Sequence, residues 1–241
     1  MNAMLLYKAW LETRARFLIS FGGSVLLFSY LVYHAEKDAA PWAGMTYYNY
    51  VLNENQSVFA LLWVLLVALL MVGGLLREHA AGSLYFTLAL PVSRQRLMVA
   101  RIAMGSTQAL LLAVVPSCAM YLIASIVGKA YSPGQLAFNL VMLLAGGSVF
   151  LAITVLVSSV IEGEYTAPAV SLGLALGIAL GLGSPKLRPF NPMRFMMGME
   201  YRDIHTELPV GPIPWANAAI WVSVAGVLLL LAIGVIRRRE F

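Results

Sequence analysis

Six stretches of this chain contain no Asp, Glu, Lys, Arg or His: residues 17–33, 58–76, 102–127, 136–161, 167–183 and 215–236. A helix crossing a ~30 Å hydrocarbon layer at about 1.5 Å per residue needs about 20 apolar residues in a row. Each stretch is close to that length or beyond it, so the pattern predicts an all-α polytopic membrane protein with six transmembrane helices in a single transmembrane domain, 1–241. Composition closes off the alternatives. Of the 241 residues, 61% are hydrophobic and 11% charged, against about 25% charged in soluble domains. A water-soluble globule of this size has far too few charges here to coat its surface. So apolar a chain is not disordered, and its single cysteine excludes a disulfide scaffold.

Basic residues orient the spans. Lys8, Arg14, Arg16, Arg77, Arg94, Arg96, Arg101 and Arg237, Arg238 and Arg239 fall on one side. Lys37, Lys129, Lys186, Arg188, Arg194 and Arg202 fall on the other. The first side has ten basic and five acidic residues, the second six of each, so the whole net charge of +5 sits on one face. That face is expected to be cytoplasmic, with both termini on it and the chain in the cell's inner (cytoplasmic) membrane. The basic balance thus reflects topology and does not call for a nucleic-acid partner. Residues 1–10 lack the pattern of a cleavable signal peptide. Residues 5–16 read as an N-terminal interfacial helix, with Lys8, Glu12 and Arg16 on one face, or as a plain continuation of the first span.

The connecting segments differ in character. Residues 34–57 carry Trp42, Tyr47, Tyr48 and Tyr50, which suit an interfacial aromatic belt. Ser132-Pro133-Gly134 reads as a tight turn. Residues 184–214 hold six of the eleven prolines and bracket a short helix, for which Asn191 is the expected cap and Pro192 the first residue. Met193, Met196, Met197 and Met199 cluster there near His205. They are either soft ligands for Cu(I) or an apolar face resting on the outer membrane surface or capping the bundle.

Within the spans the chemistry-bearing residues are sparse. His34, His79 and His205 all lie outside them, so no Ser–His dyad is available at membrane depth, and Gly22-Gly23-Ser24 and Gly146-Gly147-Ser148 read as close-packing spots. No His-x-x-x-His or paired-cysteine zinc pattern occurs, and the spans carry no carboxylate or histidine for ion coupling. The phosphate-binding pattern Gly-x-x-x-x-Gly-Lys-Ser/Thr is missing as well, so this chain is not expected to be an enzyme or to hold a cofactor. Energy for uphill transport would have to enter from another polypeptide. Gly173, Gly177 and Gly181 form a stripe on the fifth span where a second helix can approach closely, in the same bundle or in another subunit. Pro116 should bend the third span, and Cys118 reads as a small buried hydrophobe.

The most informative stretch follows the second span. Glu78 stands at the membrane exit, and a helix-compatible run with apolar Leu84 and Leu88 ends at Pro91 before a basic segment. A plain connector would need only a few polar residues. Glu78, then Gly82-Ser83-Leu84, then Leu90-Pro91-Val92-Ser93-Arg94 resembles the pattern of the type-2 membrane subunits of ATP-binding-cassette exporters. The likeness extends to the six spans, to Arg101 at the start of the third and to the terminal Arg237-Arg238-Arg239-Glu240-Phe241. Tyr85 stands where many members have Glu, and Ser83 where Thr is commoner. The resemblance implies a permease subunit paired with a second copy or a paralogue, each docked on a cytoplasmic ATPase that holds ATP and Mg. Residues 82–90 would be a short cytoplasmic coupling helix, with Glu78, Gly82, Ser83, Leu84, Leu88, Pro91 and Arg94 forming the docking segment. Residues 184–214 would supply short re-entrant or surface helices. Two other readings stand beside it: a permease-like mechanical or signalling partner of an extracytoplasmic protein, and a carrier or channel that needs no ATPase.

Overall fold

The computed structural model describes residues 2–39, 47, 51, 54–71, 94–161, 166–184, 186–203 and 211–238. Every extended element among them is helical: α1 (Asn2–Ala39), α2 (Asn55–Leu70), α3 (Arg94–Ile126), α4 (Pro133–Val160), α5 (Thr166–Gly181), the short α6 (Pro192–Met197) and α7 (Trp215–Arg238). Single 3-10 turns at Arg188–Phe190 and Met199–Tyr201 flank α6. Four helices, α1, α3, α4 and α7, are long and apolar enough to cross a bilayer. The other two apolar helices, α2 and α5, have 16 residues each and rise about 24 Å. Leu18, Ile19, Leu26, Leu180 and Leu230 are each more than half exposed. In water such a surface would aggregate, whereas lipid chains solvate it without penalty.

The side-chain pairings fix the directions. Glu12 meets Arg101 and Thr13 meets Gln108, so α1 and α3 run parallel. Phe28 stacks edge-on against Phe59, and further along α2 Met71 lies against Gly105, so α2 runs back against both. Phe138 clusters with Ala218, and Val149 with Ala225, so α4 and α7 descend together. The chain therefore alternates direction, and Lys8, Arg14, Arg16, Arg96, Arg101, Arg237 and Arg238 all belong to one end of the bundle. Lys129, Lys186, Arg188 and Arg202 belong to the other, and Arg194 lies on α6 between the helices. That segregation is the one expected from the sequence.

Several local expectations change. Of the two readings of residues 5–16, the plain continuation of the first span holds: residues 5–16 and 17–33 belong to one unbroken helix of 38 residues, about 57 Å long. No helix breaker separates them, and α3 packs alongside through Arg101 and Gln108. Ser132-Pro133-Gly134 is a helix start, not a turn. Ser132 accepts from the Gln135 backbone at 3.2 Å, Gln135 accepts from the Ser132 backbone at 2.9 Å, and Pro133 takes the first helical position. The turn lies earlier, at Gly128 (φ 78°), where Lys129 N–H reaches Ala124 O and Gly128 N–H reaches Ser125 O to close α3. Cys118 is half-buried rather than buried. Gly22 and Gly23 have open space beside them and pack on no described residue of the chain, whereas Gly146 and Gly147 are close-packing spots. Tyr47 is buried and its hydroxyl lies 3.5 Å from Val32 O, with Lys129 over its ring at 5.1 Å. It therefore packs on the bundle instead of joining a belt; Trp42, Tyr48 and Tyr50 lie outside the described residues.

The 184–214 segment holds the least expected element. Asn191 caps α6 as anticipated, accepting from Met193 N at 3.0 Å and Arg194 N at 3.4 Å, while its amide donates to Ala179 O of α5 at 2.9 Å. Gly198 (φ 69°) ends the helix. α6 lies against the middle of α4: a Cβ added at Gly146 would come within 2.8 Å of Met196 Cβ and of Pro192 O. Met193, Met196 and Met197 are buried there, and Met199 is 41% exposed. Met193, Met196 and Met197 are packing groups within the helix bundle rather than a face on its outer surface, while Met199 stays at its exposed edge. Gly146 made this possible, because only a glycine lets the α6 backbone so close.

Candidate functional site

Of the docking segment, Glu78, Gly82, Ser83, Leu84, Leu88 and Pro91 lie outside the described residues, as do His79 and His205. Arg94 is the first residue of α3, so the basic lead-in to the third span is itself helical. The two ends that bracket the segment are well placed relative to each other. Met71, just past α2, rests on Gly105 so closely that a Cβ there would overlap its thioether. Met71 also shares a small void with Met98, Arg101 and Ser158. Met71 and the start of α3 thus lie together at the basic end, where α2, α3 and α4 meet at one junction.

A polar seam ties α1 to this junction. The Arg101 guanidinium pairs with the Glu12 carboxylate, and Lys8 approaches the other oxygen of Glu12 at 3.8 Å. Deeper in, Gln108 donates to the Thr13 hydroxyl at 2.7 Å, which itself donates to Ala9 O at 3.0 Å. Gln108 is 1% exposed and its amide oxygen has no partner among the described residues. Such a group is held by the packing around it at a cost of about 1–3 kcal/mol. The sequence showed Glu12 only as a member of a local charge ladder and Arg101 only as a basic residue at the start of a span. Their pairing spans 89 positions, and no local periodicity carries it.

Gly173, Gly177 and Gly181 have nothing within 4 Å of the position a Cβ would take. Leu174, Leu176 and Leu180 beside them are exposed, while Ser171 and Ala175 face inward. The stripe thus lies on the outside of the bundle, and the reading that it packs within the same chain is excluded for the described residues. Also among the described residues, no group of His, Cys, Asp or Glu is placed to hold a metal ion.

A bundle of long apolar helices with its described basic residues gathered towards one end defines a multi-pass membrane protein. The family described as ABC-2 family transporter protein matches residues 29–184, nearly two thirds of the chain. The chain belongs to that family, and is a membrane permease component of an ABC transporter. No curated protein matches it.

Proposed function

We propose that the chain is the membrane-spanning permease subunit of an exporter, powered by a separate cytoplasmic ATPase that docks on residues 78–94. The family match carries this reading, because it runs through the docking segment and four of the expected spans. The flanking residues support it: the end of α2 at Met71 and the start of α3 at Arg94 both lie at the basic end, which the bias of Lys and Arg makes cytoplasmic. α2 and α5 complete six spans, since α2 runs the depth of the bundle from Phe28 to Gly105. Both termini are then cytoplasmic, in the inner membrane, and residues 1–241 form one transmembrane domain.

In this reading Leu84 and Leu88 of a coupling helix over 82–90 seat in the ATPase. Glu78 pairs with a basic group on it or favours the positive end of the helix. ATP and Mg bind in the partner. Closure of two ATPases moves the coupling segments, and the Met71–Gly105 and Glu12–Arg101 contacts pass that motion to α2, α3 and α1 together. A second permease subunit, identical or paralogous, lies on the exposed Gly173, Gly177 and Gly181 face. Its open Cβ positions support a backbone-close approach by another helix. The test is co-purification with the native ATPase, followed by ATP hydrolysis in vesicles. A stable complex whose hydrolysis is stimulated by exported substrate is expected; transport by the purified chain alone would replace this reading with a stand-alone carrier.

A further inference from the structure

The last turns of α7 carry a surface feature that the transport reading does not use. Gly234 has nothing within 4 Å of the position a Cβ would take. Its neighbours on the same helical face, three and four residues to either side, are Leu230, Leu231, Arg237 and Arg238. All four are exposed, Leu230 by 70% and Leu231 by 54%. The glycine therefore leaves a notch between two apolar walls and two cations, about 12 Å from end to end. α7 is long and apolar enough to cross the bilayer, and the two arginines lie in its last turn, so the cations stand at the membrane edge. Their charge is not spent inside the bundle. Arg101 and Lys8 share Glu12, whereas Arg237 and Arg238 form no ion pair among the described residues. The C-terminus of α7 contributes about half a negative charge, which offsets only part of two positive ones. Arg239 and Glu240, next in the sequence, cancel in formal charge.

We infer that this notch binds a phosphate-bearing anionic phospholipid of the leaflet at the basic end. Its headgroup lies between Arg237 and Arg238, and its acyl chains lie against Leu230 and Leu231. Each guanidinium can present paired N–H donors to phosphate oxygens. The glycerol backbone takes the open space over Gly234, which a larger side chain would fill. The apolar walls accept every phospholipid alike, because lipid tails are as apolar as leucine. Discrimination among lipids therefore rests on the arginines, which favour an anionic headgroup. A free phosphate lacks the chains that hold a lipid at this depth.

The experiment uses the full chain in neutral detergent, titrated with phosphatidylglycerol, phosphatidylcholine or soluble glycerol phosphate, with bound lipid counted by native mass spectrometry. An interfacial arginine contributes about fivefold, so phosphatidylglycerol should be retained at least about tenfold better than phosphatidylcholine. Glycerol phosphate should not bind. Arg237→Gln and Arg238→Gln should each cut the preference about fivefold. Gly234→Leu keeps both charges but fills the notch, and should lower phosphatidylglycerol retention to the level of phosphatidylcholine. Arg14→Gln removes one exposed charge from the same end of the bundle on α1, and should leave the preference as it is. Melting without added lipid checks that each variant is folded; nothing lies close enough to Gly234 to oppose the leucine. Equal loss in Arg14→Gln and Arg238→Gln would reduce the effect to diffuse surface charge and overturn the site. So would glycerol phosphate binding as strong as that of the lipid, or phosphatidylglycerol retention unchanged by Gly234→Leu or by both arginine variants.

Discussion

The indole of Trp63 lies against Gly147, so close that a Cβ on that glycine would overlap the ring, and its N–H donates to Ala109 O at 3.0 Å. One side chain thereby joins α2, α3 and α4 at mid-depth, and it is only 2% exposed. The donor is satisfied without water, as the membrane interior demands. Gly147→Ala should lower thermal stability by about 1–3 kcal/mol, because the buried ring has no free direction in which to yield. Gly226→Ala, where nothing lies within 4 Å, should be neutral or slightly stabilising. Melting curves of both variants in one detergent decide this; equal curves would mean that the ring contact contributes nothing.

Asn191 offers a second, separable contact. Its side chain caps α6 and also donates to Ala179 O of α5. Asn191→Asp keeps the cap but loses the donor, and Asn191→Ala loses both. Hydrogen exchange over 192–197 should rise modestly in the first and strongly in the second, with about 1–2 kcal/mol lost from capping alone. Identical exchange in the two variants would show that the bond to α5 does not hold α6 in place.

The Glu12–Arg101 pair predicts a coupling between helices. Glu12→Gln and Arg101→Gln should each destabilise the protein, and the double variant should cost less than their sum. A partly exposed pair of this kind couples by about 1 kcal/mol or less. Full additivity in a double-mutant melting cycle would contradict the link.

Much of this arrangement was legible in the residues, for reasons that also mark the limit. The six uncharged stretches locate the apolar helices, and the sorting of Lys and Arg anticipates which ends lie together, because both follow from local composition. Asn191-Pro192 identifies the start of α6 because a cap acts over three residues. What composition does not encode is distance across the chain. Trp63 reaching Ala109, Met196 seated on Gly146 and Glu12 meeting Arg101 each join positions dozens of residues apart. The Ser132-Pro133-Gly134 reading failed for a local reason: the same residues serve turns and helix starts, and Gln135 three places after Ser132 decided for the capping box. The glycine stripe was visible as a pattern, but only the structure shows that it faces outward.

That outward stripe predicts a difference between assembly and fold. Gly177→Leu should leave the melting of the isolated chain almost unchanged, since no neighbour lies within 4 Å, yet sharply reduce self-association. Leu180→Ile, at a side chain 80% exposed, should affect neither. Dimer fractions from cross-linking in membranes separate the outcomes. Equal fractions in both variants would leave lipid as the stripe's only neighbour.

Coupling to an ATPase is the central claim, and co-reconstitution with the cognate ATPase tests it most directly. Complex retention, ATP hydrolysis and transport should be measured side by side for the wild type, Leu88→Asp and Glu78→Arg. Truncating or reversing a central anchor typically costs ~2 kcal/mol or more, about thirtyfold in affinity. Both variants should insert and melt like the wild type while losing ATPase retention and transport together. Wild-type retention and transport in both would contradict a coupling role for residues 78–94.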